Sequence, residues 1–242
     1  MKTILLSTAA LALTASFAFA ESHAMTVRLG TEGAYPPFNF LNDAGEVDGF
    51  EREVGDELCA RAELTCEWVT NEWDSIIPNL VSGNYDAIIA GMSITDEREE
   101  VIDFTQNYTQ PDPSSFVGKA GMMVDPAGAV IAAQTGTIQA SHVAEIGATL
   151  LEFSNPEETL GAVRDGEADA VLADKSFLAP YVEEDAELDF VAEDILLGGG
   201  IGMGFRESDA ELRAKFDAAI QSMKDDGSLN ALIEKWEVGA TF

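Results

Sequence analysis

The sequence predicts an α/β protein of two similar lobes, each a mainly parallel sheet flanked by helices, with two hinge strands joining them. Three observations carry this. A phrase running from Leu80 to Gly91 returns, offset by 83 residues, between Val163 and Asp174. Each copy reads as the end of an amphipathic helix, a Gly stop (Gly83, Gly166), an Asp-Ala pair and a short apolar run. Such an uninterrupted run suits a strand buried on both faces, as in a parallel sheet. The third observation is a pair of extended segments, one between the two units and one after the second, which reads as two crossings. Ligands of open α/β sheets bind beyond the carboxyl ends of the strands. Arg98 follows the first repeated strand and Asp174 ends the second, so a cation from one lobe faces an anion from the other. That pair suits a small zwitterion.

The elements follow in chain order. Val27 to Gly30 forms a strand leading into a loop stiffened by Pro36 and Pro37, and 42–49 has hairpin character around Asp43-Ala44-Gly45. A helix begins at Phe50 and runs to Arg61, and a strand occupies 66–70. A second helix is expected over 71–82, with Ile76, Ile77 and Leu80 on one face, then a strand over 87–90. Thr95 or Asp96 caps a further helix. The stretch 109–115, carrying Pro111 and Pro113, is the first crossing. The second lobe repeats the plan: a strand at 131–133, a loop Gln134-Thr135-Gly136-Thr137 entering a helix at Ile138, a strand starting at Phe153, a helix over 156–165 and a strand over 170–173. The glycine-rich 197–205 lacks the spacing of a dinucleotide loop and serves as the return crossing, after which the chain from Ser208 is helical and rejoins the first lobe. The expected boundaries are 25–110 plus 203–242 for the first lobe, 116–197 for the second, and hinges at about 109–115 and 198–202. The order is that of a hinged clamp.

Residues 1–20 have the form of a cleaved secretory signal: Lys2, an apolar stretch and Ala18-Phe19-Ala20. No Cys follows that site, which argues against a lipid anchor, and no later stretch is long enough to cross a bilayer. Loss of the segment removes Lys2 and no acid, taking the formal charge from −31 to −32. That charge argues strongly against nucleic acid or an anionic membrane surface as a partner; it could favour cationic ligands, or serve only to keep an exported protein soluble. Cys59 and Cys66 are the only cysteines, and in an oxidising compartment they read as a disulfide clipping a helix end to a strand start. A metal site at the cysteines lacks partners, because His23 and His142 are far away in sequence. No cofactor is expected.

Arg98 stands among Asp96, Glu97, Glu99 and Glu100 and could be a solvated helical arginine; its place after a strand-loop-helix turn favours a carboxylate clamp. Asp174 could take an ammonium or cap the helix starting near Ser176. Tyr35 and Trp73 share the carboxyl edge of the first sheet and could sandwich a flat or cationic side chain. Glu32, Glu51 and Glu72 cluster there, and any of them could pair with a basic head group or be a solvated charge. No serine-histidine-acid set, HExxH, P-loop or CxxC is present.

Gly30 to Phe38 (GTEGAYPPF), Gly49-Phe50-Glu51, Trp73 to Pro78 (WDSIIP) and Asp86 through Arg98 carry a resemblance over essentially the whole mature chain. The chain resembles the periplasmic solute-binding proteins of polar amino-acid ABC transporters, family 3, a two-lobe periplasmic binding protein fold of type II. The cysteine spacing looks like the disulfide of the lysine/arginine/ornithine- and histidine-binding members, and the Thr-Glu-Gly and Trp-Asp pieces look like opine binders. The resemblance implies that Arg98 clamps an α-carboxylate, helped by Ser93 and the loop before it and by Thr137. It implies that Asp174 takes the α-ammonium, that Tyr35 and Trp73 flank the side chain, and that Glu32 pairs with its distal nitrogen. Ala90, Gly91, Gln139 and Glu51 complete the expected ligand-binding set. Arg52, Ala90-Gly91 and Gln134 depart from the family pattern. The implied protein is a periplasmic monomer that binds a polar, basic L-amino acid and passes it to a membrane permease. A dehydratase on the same scaffold, with Glu32 or Lys175 as acid, is the alternative, as is a sensor module.

Overall fold

The computed structural model describes residues 26–242; the expected signal segment, 1–20, and His23 lie outside the described residues. Two sheets form the two lobes. The first runs in the order Thr65–Thr70, Thr26–Thr31, Ala87–Ile88, Gly204–Phe205, Asp103–Phe104. The second runs Thr149–Phe153, Val130–Gln134, Ala170–Asp174, Pro113–Lys119, Leu188–Phe190, with Ile195–Leu196 also on Pro113–Lys119. In each, three strands are mutually parallel, as the apolar runs imply. Both sheets are nevertheless mixed. The strands supplied by the return crossing and by Pro113–Lys119 enter from the opposite direction and pair antiparallel.

The two repeated Asp-Ala pairs do the same structural work. Asp86 accepts the backbone N–H of Arg28 and donates its own to the Arg28 carbonyl. Asp169 does the same with Val130. Each thereby locks the start of one parallel strand to its neighbour. In the first lobe Arg28 and Arg206 also ion-pair with Asp86, which holds its carboxyl below the usual range against the cost of burial.

The Phe50–Arg61 helix buries Phe50, Val54 and Leu58 at four-residue spacing, one face against the sheet. Gly55 lets it close on the strand behind, since a Cβ there would lie 2.7 Å from the Trp68 ring. Cys59 and Cys66 are disulfide-bonded with Cα atoms 6.2 Å apart, clipping this helix to Thr65–Thr70. The C-terminal helices Ala210–Asp226 and Ser228–Trp236 return to the same helix, where Arg61 donates to Ser222 and Ser228.

Three boundaries differ from expectation for local reasons. The helix expected from Asn71 starts as a 3-10 turn, Trp73–Ser75, followed by Ile76–Val81. The Asn71 N–H is already committed to the Thr31 carbonyl, which prolongs the strand. The strand expected over 87–90 pairs only at Ala87–Ile88, because Gly91 turns the chain with φ +62°. Phe153 ends rather than starts its strand, Thr149–Phe153, because the preceding helix has already stopped at Glu145 and Gly147 reverses the chain. Among the described residues no helix is long and apolar enough to cross a membrane, and no group of three or more His, Cys, Asp or Glu could hold a metal ion.

Candidate functional site

A cavity with about 330 Å³ between its walls lies between the lobes. Glu32, Tyr35, Trp73, Ala90, Gly91, Ser93 and Arg98 line it from the first lobe, and Gln134, Thr137, Ile138, Gln139 and Asp174 from the second. Ten of the eleven expected residues therefore meet at one place, from segments that leave the carboxyl ends of the two sheets.

Arg98 comes from the short Asp96–Glu99 helix, which Thr95 caps by accepting the Arg98 N–H. Its guanidinium donates to the carbonyls of Ser93 (2.8 Å) and, across the cleft, Gly136 (3.3 Å), and lies 5.3 Å from the centre of the Trp73 ring. All these partners are uncharged. Removal from water accordingly brings its pKa down to about 10, against the attraction of Asp174 and Glu97.

Asp174 stands at the N-terminal end of Lys175–Glu184 but does not use its side chain as a cap. Its oxygens instead accept from the Tyr35 hydroxyl (2.9 Å, across the cleft) and the Gln139 amide (2.9 Å). Burial, reinforced by Asp112, raises its carboxyl to about 6 even though Tyr35, Arg98 and Gln139 pull it down. Glu32 is raised to about 7, first by burial and then by the nearby Glu72 and Glu51, although its oxygen accepts from the Gln134 amide at 2.6 Å. The cavity thus holds one guanidinium and two carboxyls, and burial disfavours the charged form of each.

The remaining predicted residues divide by what they touch. The Thr137 hydroxyl is committed within its own turn: it donates to Gln134 and accepts from Ala140, capping Ile138–Glu145. The Gly91 amide is committed to Glu51 at 2.6 Å. Glu51 itself does not line the cavity. It is fully buried behind Gly91, accepting also from Asn39 and the Tyr108 hydroxyl, so the head-group role considered for it is corrected to a supporting one. Glu72 is exposed and faces an outer opening instead. The aromatic pair departs from a simple sandwich: Tyr35 stacks on Phe177 at 4.3 Å, and Arg98 covers the Trp73 ring. Sequence reasoning missed Ile138 and Phe177 and treated Gln134 only as a departure; the apolar i, i+4 spacing of helix 175–184 gives Phe177 no mark of a site residue.

The model for bacterial extracellular solute-binding proteins, family 3, matches residues 27–239. The chain belongs to this family. A solved structure from Silicibacter pomeroyi, a periplasmic His/Glu/Gln/Arg/opine family-binding protein in complex with lysine, is 69% identical, with a TM-score of 0.86 over 89% of this chain and 100% of that one. The L-arginine-binding protein of Pseudomonas aeruginosa is 31% identical over 87% of each chain. The lysine/arginine/ornithine-binding periplasmic protein of Escherichia coli is 30% identical, also over 87% of each. Within a solute-binding family, contacts from one lobe to the other such as Tyr35–Asp174 and Glu32–Gln134 mark a cleft drawn shut over its cavity.

Proposed function

We propose that this solute-binding protein closes on a basic L-amino acid of the lysine, arginine and ornithine class. The carrying observation is the charge pattern of the cavity. Two carboxyls and one guanidinium, each short of an ionic partner, mirror the two cations and one carboxylate of such a ligand. Arg98 takes the α-carboxylate together with the amides that open the Ile138–Glu145 helix. Asp174 takes the α-ammonium, Glu32 the distal cation, and Trp73 and Tyr35 border the side chain between them. Ser93, Ala90, Gly91 and Gln139 shape or orient this set. Because Arg98 and Asp174 come from different lobes, both are satisfied only when ligand bridges the cleft, and this couples binding to closure. The lysine complex of the Silicibacter pomeroyi protein and the names of the other relatives support the ligand class.

The same reading places the protein in the periplasm as a monomer that docks transiently on an ABC permease. The lobes are 25–110 plus 203–242 and 116–197, and bending occurs near 109–115 and 198–202, where Ile201 bridges both Thr109 and Ser93. Thermal unfolding of refolded, ligand-free protein against an amino-acid panel tests it. At about 100 times its dissociation constant a ligand adds roughly 2.7 kcal/mol, a shift of about 5–10 °C at this size. Lysine, arginine or ornithine should produce it and glutamate and leucine should not; the opposite ranking refutes the assignment.

One observation favours a second reading. A cleft carboxyl held at about 7, that of Glu32, is suited to act as a general acid, as a dehydratase on this scaffold requires. Lys175 is less suited, since it is paired to Asp194 at 2.7 Å. Incubation with prephenate or arogenate, followed by product analysis, decides between binder and enzyme.

A further inference from the structure

Glu32 lines the inter-lobe cavity. The same residue also lines a second, outer opening, together with Leu41, Asn71, Glu72, Ser154 and Asn155. Glu32 is shared by both, and Gln134, which lines the inner cavity, holds its carboxyl. The Gln134 amide donates from one nitrogen to Glu32 (2.6 Å) and to the Ser154 carbonyl (3.1 Å), tying first lobe to second along the rim.

The Glu32–Gln134 contact can be exchanged for a ligand. A cation arriving at Glu32 competes for the oxygen that Gln134 holds, and a bond between two opposite charges outcompetes one from a neutral amide. Gln134 keeps its second acceptor, Ser154, so it can release Glu32 without leaving a buried donor unpaired. Past it the walls pair hydrogen-bonding and acidic groups with an exposed apolar side chain: Glu72 is exposed, and Leu41 is 48% exposed. That combination suits a cation carrying small alkyl groups, whose charge stays near carboxylates while its methyls cover a leucine.

We propose that the site accepts basic L-amino acids substituted on the distal nitrogen, with the substituent passing Gln134 into the outer opening beside Leu41 and Glu72. The ligand class rests on the basic amino-acid reading above and extends it to N-alkylated arginines and lysines. Gln134 acts as a specificity-determining divider, and the outer opening receives the tail.

Calorimetric titration of refolded, ligand-free protein with L-arginine, Nω,Nω-dimethyl-L-arginine, L-lysine and Nε,Nε-dimethyl-L-lysine tests this. Methylated and parent ligands should bind within about tenfold of each other. Ser154→Trp, at an exposed position on the rim, should weaken only the methylated pair, by tenfold or more, while Gln134→Ala should favour the methylated over the parent ligands. Circular dichroism confirms that both variants fold. If the parents bind and the methylated ligands are more than a hundredfold weaker, or if Ser154→Trp weakens all four equally, the outer opening takes no tail and the proposal falls alone. If none of the four binds, the basic amino-acid reading falls and takes this one with it.

Discussion

The two copies of the repeated phrase share a framework and differ at their ends. Asp86 and Asp169 make the same paired backbone hydrogen bonds, to Arg28 and to Val130, and each opens a buried apolar strand. After the strand the copies part. The first turns at Gly91, hands its amide to the buried Glu51, and delivers Arg98 at the head of a capped helical turn. The second runs straight into Asp174, whose carboxyl two neutral donors hold in the cleft wall rather than as a cap. One architecture, used twice, thus supplies opposite charges to opposite walls, and the residues beyond the shared strand decide which.

The largest test of that division removes either charge. Arg98→Ala or Asp174→Ala should cost on the order of 3–5 kcal/mol of lysine binding, since each leaves a buried ligand charge unpaired. Titration calorimetry giving less than a tenfold loss for either would show that its lobe contributes no charge to the ligand.

The helix-to-strand turns offer a smaller contrast. The first lobe staples its turn with Cys59–Cys66, while the second uses Gly147 at φ +78°. Replacing both cysteines by serine should cost roughly 2.5 kcal/mol by the loop-closure model. Lysine affinity should stay within about threefold, because neither cysteine lines the cavity.

The paired aspartates should separate next. Asp86→Ala loses charge-assisted bonds to Arg28 and Arg206 and should cost about 1.5–3 kcal/mol, whereas Asp169→Ala loses a backbone partner worth about 0.5–1.5 kcal/mol. Equal losses in chemical denaturation would mean that the arginines add nothing.

The smallest effect is that of pH. Glu32 and Asp174 have folded values of about 7 and about 6, above their ordinary 4.5 and 3.8. In that window the native state binds more protons than the unfolded chain, so these two groups make the ligand-free protein more stable as pH falls from 7 toward 4. Ligand ammonium groups need both carboxylates ionised, so lysine binding should weaken by about tenfold between pH 8 and roughly pH 6.3. Affinity independent of pH over this range would mean that neither carboxyl meets a cation.

Much of this was legible in the chain. The Gly stops, Asp-Ala pairs and apolar runs located the parallel strands, and Glu32, Tyr35, Trp73, Arg98 and Asp174, picked out by their place near strand ends, all line the cavity. Three things were not legible. Glu51 and Glu32 are the same residue type near the same edge, and only packing shows that Asn39, Tyr108 and Gly91 enclose the first while the second opens to the cleft. Antiparallel pairing depends on the direction from which a crossing enters its sheet, which local pattern does not encode. Phe177 stacks on Tyr35 from a distant part of the chain, a contact that local pattern does not encode.

The central claim is that three cavity charges answer three ligand charges. It is tested most directly by titrating the ligand-free protein at pH 8 with L-lysine and with three analogues that each lack one charge: cadaverine, 6-aminohexanoate and L-norleucine. Losses of a hundredfold or more for each analogue are expected, with Glu32→Gln erasing the preference for lysine over norleucine alone. An analogue that binds as tightly as lysine would show that the group facing its missing charge, Arg98, Asp174 or Glu32, does not recognise ligand.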